Sequence, residues 1–533
     1  MYVLAYDIGT TGVKTCLFRI GETIELVSGA SGGYQLYVLP GGGAEQDPQE
    51  WWDAMAVTTK AVLADSGVSP AQVAGISFCS QMQGLVLVDR AGAPLRRAMS
   101  YMDQRASEQL KAGMAYGPQV AGANLVRLLR SLRVTGAVAA SVKDPVWKYK
   151  WVEANEPEIF ARVHKWLDVK ESIIARMTGR CVMTTDSAFA TLLYDIRAGR
   201  RGWSKEISAM LGVRWEHLAE IVSCAAKVGE LRAEQAAELG LVPGIAVYGG
   251  GGDASLVGVG AGAVELGDTH IYSGTSGWVS TVVNKSMVDT SAMIAAIVGA
   301  QENTYNYFAE QETAGKCVEW VKDHLALDEI NLYLNKEFDL KHQTPDMEAV
   351  YSNLYDYLMA VIGAVPIGCG GVIFTPWLHG NRCPFEDPNA RGMFWGISLE
   401  TGKTELIRAV VEGVIYHLRW LLETQEKKTK TSDPVRFVGG GALSDVMCQM
   451  MADCLGRTVE TVASPQNVGA VGAAVLVAAG NGIIDGVAQA KRLIPAVKTF
   501  RPAAGRQALY DKNYRIFRRL YAANKKLFAE MNG

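Results

Sequence analysis

The chain has no CxxC pair, no HExxH pattern and only seven histidines in 533 residues, so nothing in it is spaced for a zinc site. Its nine cysteines, Cys16, Cys79, Cys181, Cys224, Cys317, Cys369, Cys383, Cys448 and Cys454, are odd in number and scattered. They read as free thiols of a reducing compartment, not as a disulfide framework. Neither sign of charge is in excess: 52 Lys and Arg against 55 Asp and Glu leave −3, too little field to steer nucleic acid or an anionic membrane. With 49% hydrophobic and 20% charged residues, disordered and collagen-like architectures are excluded. The N-terminus, Met1 to Tyr6, lacks a basic segment and meets a carboxylate at Asp7, so no signal peptide is expected there. The uncharged run from Tyr357 to Leu378 could cross a bilayer by length, but Gly363, Pro366, Gly368, Gly370, Gly371 and Pro376 interrupt it. A helix end, a turn and a buried strand over Gly371–Phe374 are expected instead, in a cytoplasmic protein without a membrane partner. What the chain has in surplus is glycine: 56 residues, about a tenth, against an average near ~7%.

At ~150 residues per domain the length allows three to four units or two large ones. Short apolar strands at Val3–Tyr6 and Thr15–Phe18 flank a Gly/Thr turn, a helix is expected over Gln49–Ser66, and Val73–Phe78 reads as a buried strand. Helical periodicity also covers Gln104–Ala115 and Pro157–Thr178, the latter stopped by Gly179. The pattern then restarts. Ile245–Tyr248 runs into Gly249–Gly252, and strands Thr269–Tyr272 and Trp278–Val283 flank a second Gly/Thr turn. Helices Thr404–Gln425 and Ser444–Leu455 with strand Val435–Val438 follow, then the apolar helix Gly469–Ala479. Alternating strands and helices make an α/β protein, and the restart predicts two similar domains. The tail, Asp511–Met531, interleaves Lys512, Arg515, Arg518, Arg519, Lys525 and Lys526 with Tyr514, Phe517, Leu520, Tyr521 and Leu527. It is expected to dock as a terminal helix by its apolar stripe, with no nucleic-acid role.

Six segments carry chemistry. Asp7-Ile8-Gly9-Thr10-Thr11-Gly12 can aim backbone N–H groups and hydroxyls at a phosphate, with a carboxylate at its edge for a phosphate-bound Mg²⁺. It is neither a P-loop nor a GxGxxG entering a helix. Ser273-Gly274-Thr275-Ser276-Gly277 repeats that chemistry, and two such hairpins can clamp a polyphosphate. Gly439-Gly440-Gly441-Ala442, between a strand and a helix, lets backbone lie flat against an adenine or ribose. Gly249–Gly252 delivers Asp253 at a helix N-terminus, where the dipole favours a carboxylate able to accept a hydroxyl proton. Ser77 to Gly84 and Tyr101-Met102-Asp103-Gln104-Arg105 end in amides, hydroxyls and a carboxylate, which suits a polyol beyond the strand ends of an open sheet. Each has a plain alternative: a tight hairpin, a close strand-to-helix packing or a helix cap.

In order, Asp-x-Gly-Thr-Thr, Gln-Met-x-Gly, Asp-x-Arg, Gly-Gly-Gly-Asp, Gly-Thr-Ser-Gly and Gly-Gly-Gly-Ala resemble the FGGY carbohydrate kinases, most closely their xylulokinase-like branch. The stretch Gly392 to Ile397, with Glu405, Leu406, Ala409, Val410, Glu412 and Gly413, looks like that family's C-terminal signature. The resemblance spans roughly Val3 to Gly482 and implies two duplicated ribonuclease-H-like, actin-like ATPase domains around a central cleft. The bounds expected are 1–262 for an N-terminal domain with the sugar and the first phosphate turn, 263–490 for an ATP-binding domain and 491–533 for a helical tail. By resemblance, Gly9, Thr10 and Thr11 form the first phosphate turn and Gly274 and Thr275 the second. Gly315, Glu319, Gly441 and Asp445 border ATP, Asp7 and Asp253 attend Mg²⁺, Asp253 is the catalytic base, and Met82, Gln83, Asp103 and Asp253 contact the sugar. The substrates implied are ATP and a small ketose or polyol, xylulose or a related pentulose first, and a homodimer is the common assembly.

This sequence departs from the xylulokinase pattern in the sugar pocket. Gln83 stands where histidine is usual, and Tyr101-Met102 precede Asp103 where Trp-Asn or Trp-Cys is usual. Met82-Gln83 also differ from the Arg-Glu of glycerol kinases. Two other readings stay open on the residues alone. A nucleotide-dependent switch like actin or a chaperone would share the two turns but needs no sugar pocket. A sugar-binding regulator without activity is disfavoured by the joint presence of Asp7 and Asp253.

Overall fold

The computed structural model describes residues 1–120, 122–325 and 354–533. In the first half, β1 (Tyr2–Ile8), β2 (Gly12–Ile20) and β3 (Ile24–Gly33) form an antiparallel meander. Helix α1 (Pro48–Ser66) follows, then β4 (Val73–Ser80), which lies parallel to β1. After helix α2 (Val169–Thr178) come β5 (Lys227–Glu230), β6 (Ala246–Tyr248), the short β7 (Gly251–Gly252) and helix α3 (Asp253–Gly260). The sheet order is β5-β6-β4-β1-β2-β3, with β7 also on β4.

The second half repeats this. Strands β8 (Thr269–Ser273), β9 (Gly277–Val283), β10 (Ile294–Val298) and β11 (Tyr305–Gln311) precede helices α4 (Gly315–His324) and α5 (Lys403–Glu426). Then come β12 (Val435–Val438), α6 (Asp445–Leu455), β13 (Val459–Val462), α7 (Val468–Gly480), β14 (Ala496–Phe500) and α8 (Gln507–Asn532). Its sheet runs β10-β11-β9-β8-β12-β13-β14, with Val288–Asp289 outside β10. Matched strand by strand, β3-β2-β1-β4-β6-β5 and β11-β9-β8-β12-β13-β14 share the same sequence of directions: two antiparallel pairings, two parallel, one antiparallel. The duplicated α/β architecture expected from the sequence is therefore present.

Local chemistry explains the elements. Helix α1 begins at Pro48 with the Asp47 carboxylate accepting from Gln49 N–H, and ends at Gly67 in the left-handed region, φ +63°. Strand β1 is central and covered on both faces, so nearly every residue is apolar. Leu4, Tyr6 and Ile8 share a core with Trp51 and Met55 of α1, whereas Val3 and Ala5 face Val471 and Val475 of α7. Helix α7 is apolar all round because it lies between the halves: it belongs to the chain of the second and packs on β1 and β4 of the first. There it crosses α3 at very short range. A Cβ on Gly260 would stand 1.8 Å from the Val468 carbonyl, and one on Gly472 would stand 2.4 Å from that of Leu256.

Two expected helices come out shorter. Pro157–Thr178 is broken into helix Pro157–Phe160, strand Lys165–Leu167 and α2. Trp166 and Leu167 gain more as a buried strand on Val86–Val88 than as turns of a helix, and Asp168 caps the helix that restarts. Gln104–Ala115 is helical only over Ser107–Gly113, because the Asp103 carboxylate fixes the Arg105 N–H ahead of it. The tail docks as expected, burying Tyr510, Tyr514, Phe517, Leu520 and Phe528. Among the described residues no helix is long and apolar enough to cross a membrane.

Candidate active site

Asp7 sits in β1 opposite Lys14 of β2 and Cys79 of β4. Burial pushes its carboxyl up, while the Lys14 ammonium and a hydrogen bond from Cys79 pull it down. Helix α7 starts against it, and Gly469 is what makes that approach fit: a Cβ there would lie 2.9 Å from Asp7 Oδ2 and 2.8 Å from Cys79 Sγ. The turn that follows is held from behind. Gln81 Nε2 donates to the Gly9 carbonyl at 3.1 Å and to Gln46 Oε1 at 2.8 Å, and Gln46 Nε2 donates to the Thr10 carbonyl at 2.6 Å. Carbonyls so engaged turn the N–H groups of Thr10 and Thr11 to the opposite side, as a phosphate turn needs.

The second turn is built the same way from different parts. Gly315 N–H donates to the Gly274 carbonyl at 2.7 Å, and the N–H groups of Ala314 and Lys316 reach the Thr275 carbonyl at 3.2 Å. Gly315 is packed tightly enough that a Cβ would come within 2.4 Å of that Gly274 carbonyl. Tyr272 stacks on Trp278 with centroids 3.9 Å apart, and its hydroxyl lies where a Cβ on Gly274 would stand, 2.3 Å away. Burial first, then the charges of Asp7 and Asp253, push that hydroxyl's pKa up, so both carboxylates lie within electrostatic reach of the second turn. Gly439, at φ +93°, and Gly441 press against Ser273, next to the same turn.

Asp253 is the first residue of α3, and its own carboxylate accepts from Ala254 N–H at 2.8 Å. Desolvation is the main cause that raises its pKa, to about 7, and the Asp7 and Glu310 charges add to it against the Ala254 bond. The glycines before it are shaped by neighbours: Gly250, at φ +71°, leaves no room for a Cβ beside the Phe78 carbonyl, and a Cβ on Gly252 would strike Met82 Sδ at 2.1 Å. The Gly252 N–H is held at 2.7 Å by Asp186, which is buried and also accepts from Thr184. Lys170 and Glu171, equally buried, complete that charge cluster.

Of the expected sugar residues, Met82 touches the Gly252 backbone beside Asp253, and Gln83 adopts a left-handed conformation, φ +63°. Asp103 is different. It is fully buried, and its oxygens accept from Ala44 N–H at 2.9 Å, from Arg105 N–H, and from the Arg105 guanidinium at 2.7 Å, so it fixes its own loop against Ala44. Tyr101, two residues earlier, comes within 3.4 Å of the Thr10 hydroxyl and feels the Asp253 charge. Glu319 is exposed one turn along α4 from Gly315, and Asp445 is exposed at the start of α6 in an ion pair with Lys498 at 2.7 Å.

A family model described as the FGGY family of carbohydrate kinases, N-terminal domain, matches residues 2–260, and its C-terminal counterpart matches 270–480. The chain belongs to the FGGY family of carbohydrate kinases. It is 28% identical to the xylulose kinase of Staphylococcus epidermidis, over 99% of this chain and 98% of that one. It is 27% identical to the gluconokinase of Bacillus licheniformis, over 99% and 97%. Among solved structures, a ligand-bound xylulose kinase from Lactobacillus acidophilus superposes with a TM-score of 0.81 at 25% identity, covering 99% of each chain. This FGGY chain is thus a sugar kinase of xylulokinase-like type, with ATP as a substrate. Sequence reading did not single out Lys14, Gln46, Asp186 and Gly469, which stand around these turns and carboxylates. Lys14 had a readable signal, as a cation set opposite Asp7 across the β1–β2 hairpin. The others are revealed only by contacts from distant segments.

Proposed function

We propose that this kinase transfers the γ-phosphoryl group of ATP to a hydroxyl of a small ketose, a pentulose such as xylulose first, with Asp253 as the base. The observation that carries the reading is the convergence at the seam between the halves: Asp253, Asp7 and two turns whose carbonyls are tied back. The sugar hydroxyl donates its hydrogen to Asp253, and its oxygen attacks the γ-phosphorus in line. The new O–P bond forms as the bond to the β-phosphate oxygen breaks, ADP leaves, and the proton rests on the Asp253 carboxylate. A base with pKa near 7 can hold that proton and release it afterwards at neutral pH. Developing charge is met by the N–H groups of Thr10, Thr11 and Thr275.

Mg²⁺ suits this donor set. Among the described residues no cluster of three or more His, Cys, Asp or Glu side chains could cage a metal, whereas Asp7, in its glycine-walled cradle, and Asp253 offer the one or two carboxylates that Mg²⁺ takes alongside phosphate oxygens and water. When bound there, it would neutralise phosphate charge and orient the polyphosphate. Closure of the halves would exclude water, the competing acceptor. Gln83 and the similarity to gluconokinases keep a second substrate class, other ketoses, polyols and aldonates, in view.

The test is sugar-stimulated ADP release over D-xylulose, other pentuloses and hexuloses, polyols and gluconate, with the Asp253→Asn variant beside the wild type. The variant should lose transfer while still binding Mg-ATP. A near wild-type rate in Asp253→Asn would remove Asp253 from its role, and no stimulation by any sugar would favour a nucleotide switch.

A further inference from the structure

The loops facing the proposed sugar site are held by two buried charges that lie outside the reacting centre. Gln83 adopts φ +63°, a left-handed conformation that costs a non-glycine residue on the order of 1 kcal/mol and persists only where its surroundings enforce it. The enforcement is visible on both sides of this residue. On the N–H side, Asp168 Oδ2 accepts from Gln83 at 2.9 Å and Oδ1 accepts from Gly84 at 2.9 Å. On the carbonyl side, Lys148 Nζ donates to Gln83 O at 2.7 Å and also to Ser100 O at 2.9 Å. Ser100 O is in turn the acceptor for Asp103 N–H, so one ammonium group ties the Met82–Gly84 loop to the Tyr101–Arg105 loop. Lys148 is 0% exposed and Asp168 4%. Gly84 is glycine for the same reason: a Cβ there would stand 2.8 Å from Asp168 Oδ1.

We propose that Asp168 and Lys148 are positioning residues that set the geometry, and hence the selectivity, of the sugar-binding loops by clamping the Gln83 backbone between a carboxylate and an ammonium. A neutral residue of similar size would have served packing better, because burying two charges is costly unless their hydrogen bonds are needed. Charge-assisted bonds are about twice as strong as neutral ones, which is what holding a strained backbone requires. Through Met82, which abuts Gly252, the clamp also sets where a sugar hydroxyl would lie relative to Asp253. The inference rests on the reading that Met82 and Gln83 face the sugar.

The experiment uses the full chain as Asp168→Asn and Lys148→Met, checked for folding by thermal melting, with KM measured separately for the best sugar of the panel and for ATP. Loss of a hydrogen bond to a buried charge predicts a rise in sugar KM of about tenfold or more, with ATP KM within about twofold of wild type. Discrimination between the two best sugars should narrow as well. If either variant does not fold, Gly84→Ala, which displaces the Asp168 carboxylate without removing it, should give the same split. A sugar KM unchanged in folded variants, or sugar and ATP KM rising together, would overturn the clamp. Failure of the underlying reading is seen separately, as a wild-type chain that no sugar stimulates.

Discussion

Replacing Gly469 with alanine sets two expectations against each other. Gly469 lies in the first turn of α7, where helix propensity alone favours alanine by about 1 kcal/mol. The structure predicts the opposite for function, because the added Cβ would come 2.9 Å from Asp7 Oδ2, 3.2 Å from its Cγ and 2.8 Å from Cys79 Sγ. Neither neighbour can yield freely, since Asp7 belongs to a central strand and Cys79 to the strand paired with it. Overpacking of this kind costs about 1–3 kcal/mol, so after the propensity gain the net loss is about 0–2 kcal/mol. The protein should remain folded. To reach ordinary contact the Asp7 carboxylate must shift by roughly 0.5 Å, and misplacement on that scale costs about 10- to 100-fold in rate. Sugar-stimulated ADP release at graded Mg²⁺, alongside a thermal melt, reads both quantities. The expected result is a melt within about 5 °C of wild type, a rate down by at least tenfold and a higher Mg²⁺ requirement. A Gly469→Ala enzyme with wild-type rate and Mg²⁺ dependence would refute the placement of Asp7 at the reacting phosphates.

The pKa of Asp253, about 7 against an ordinary 3.8, gives a paired prediction. As a base it must be ionised, so kcat/KM for the sugar should fall with unit slope as pH drops below about 7. Because the folded value is raised, the stability cost of ionising it is absent near pH 4, grows with pH and is complete above about 7. About three pH units at 1.36 kcal/mol each set an upper bound of about 4 kcal/mol. Asp253→Asn should therefore be inactive yet more stable than wild type at pH 8, with the gain fading toward pH 5; equal melting at pH 8 would count against the shift. Two glycine variants should divide the substrates: Gly252→Ala, which strikes Met82 Sδ, should raise sugar KM, and Gly315→Ala, which strikes the Gly274 carbonyl, should raise ATP KM. Both constants moving together in either variant would argue against separate roles for the two segments.

The strands and Gly/Thr turns were legible because their signals are local: short apolar runs broken by residues that tolerate a turn. The duplication was legible for the same reason, as one pattern written twice, at Val3–Phe18 and Thr269–Val283. Pro157–Thr178 misled because Phe160, Trp166 and Leu167 fit a helical stripe as well as a strand, and what decided between them was a partner some eighty residues away, Val86–Val88. Asp103, read from its motif as a sugar contact, also holds its own loop through Arg105 and Ala44, partners that only spatial neighbours reveal. Lys148, within helix Pro145–Asn155, and Asp168, ahead of α2, carry no local sequence signal of a role. Their burial depends on how far segments close over them.

The crossing of α3 and α7 bears on how the molecule can move. Gly260 and Gly472 strip that crossing of interlocking side chains, so it resists rotation less than a seam of leucines would. Asp253 opens one of these helices and Asp7 lies against the start of the other, which puts both carboxylates at the fulcrum of any swing between the halves. Rotation about this crossing on opening to exchange nucleotide would then leave the distance between the two carboxylates little changed.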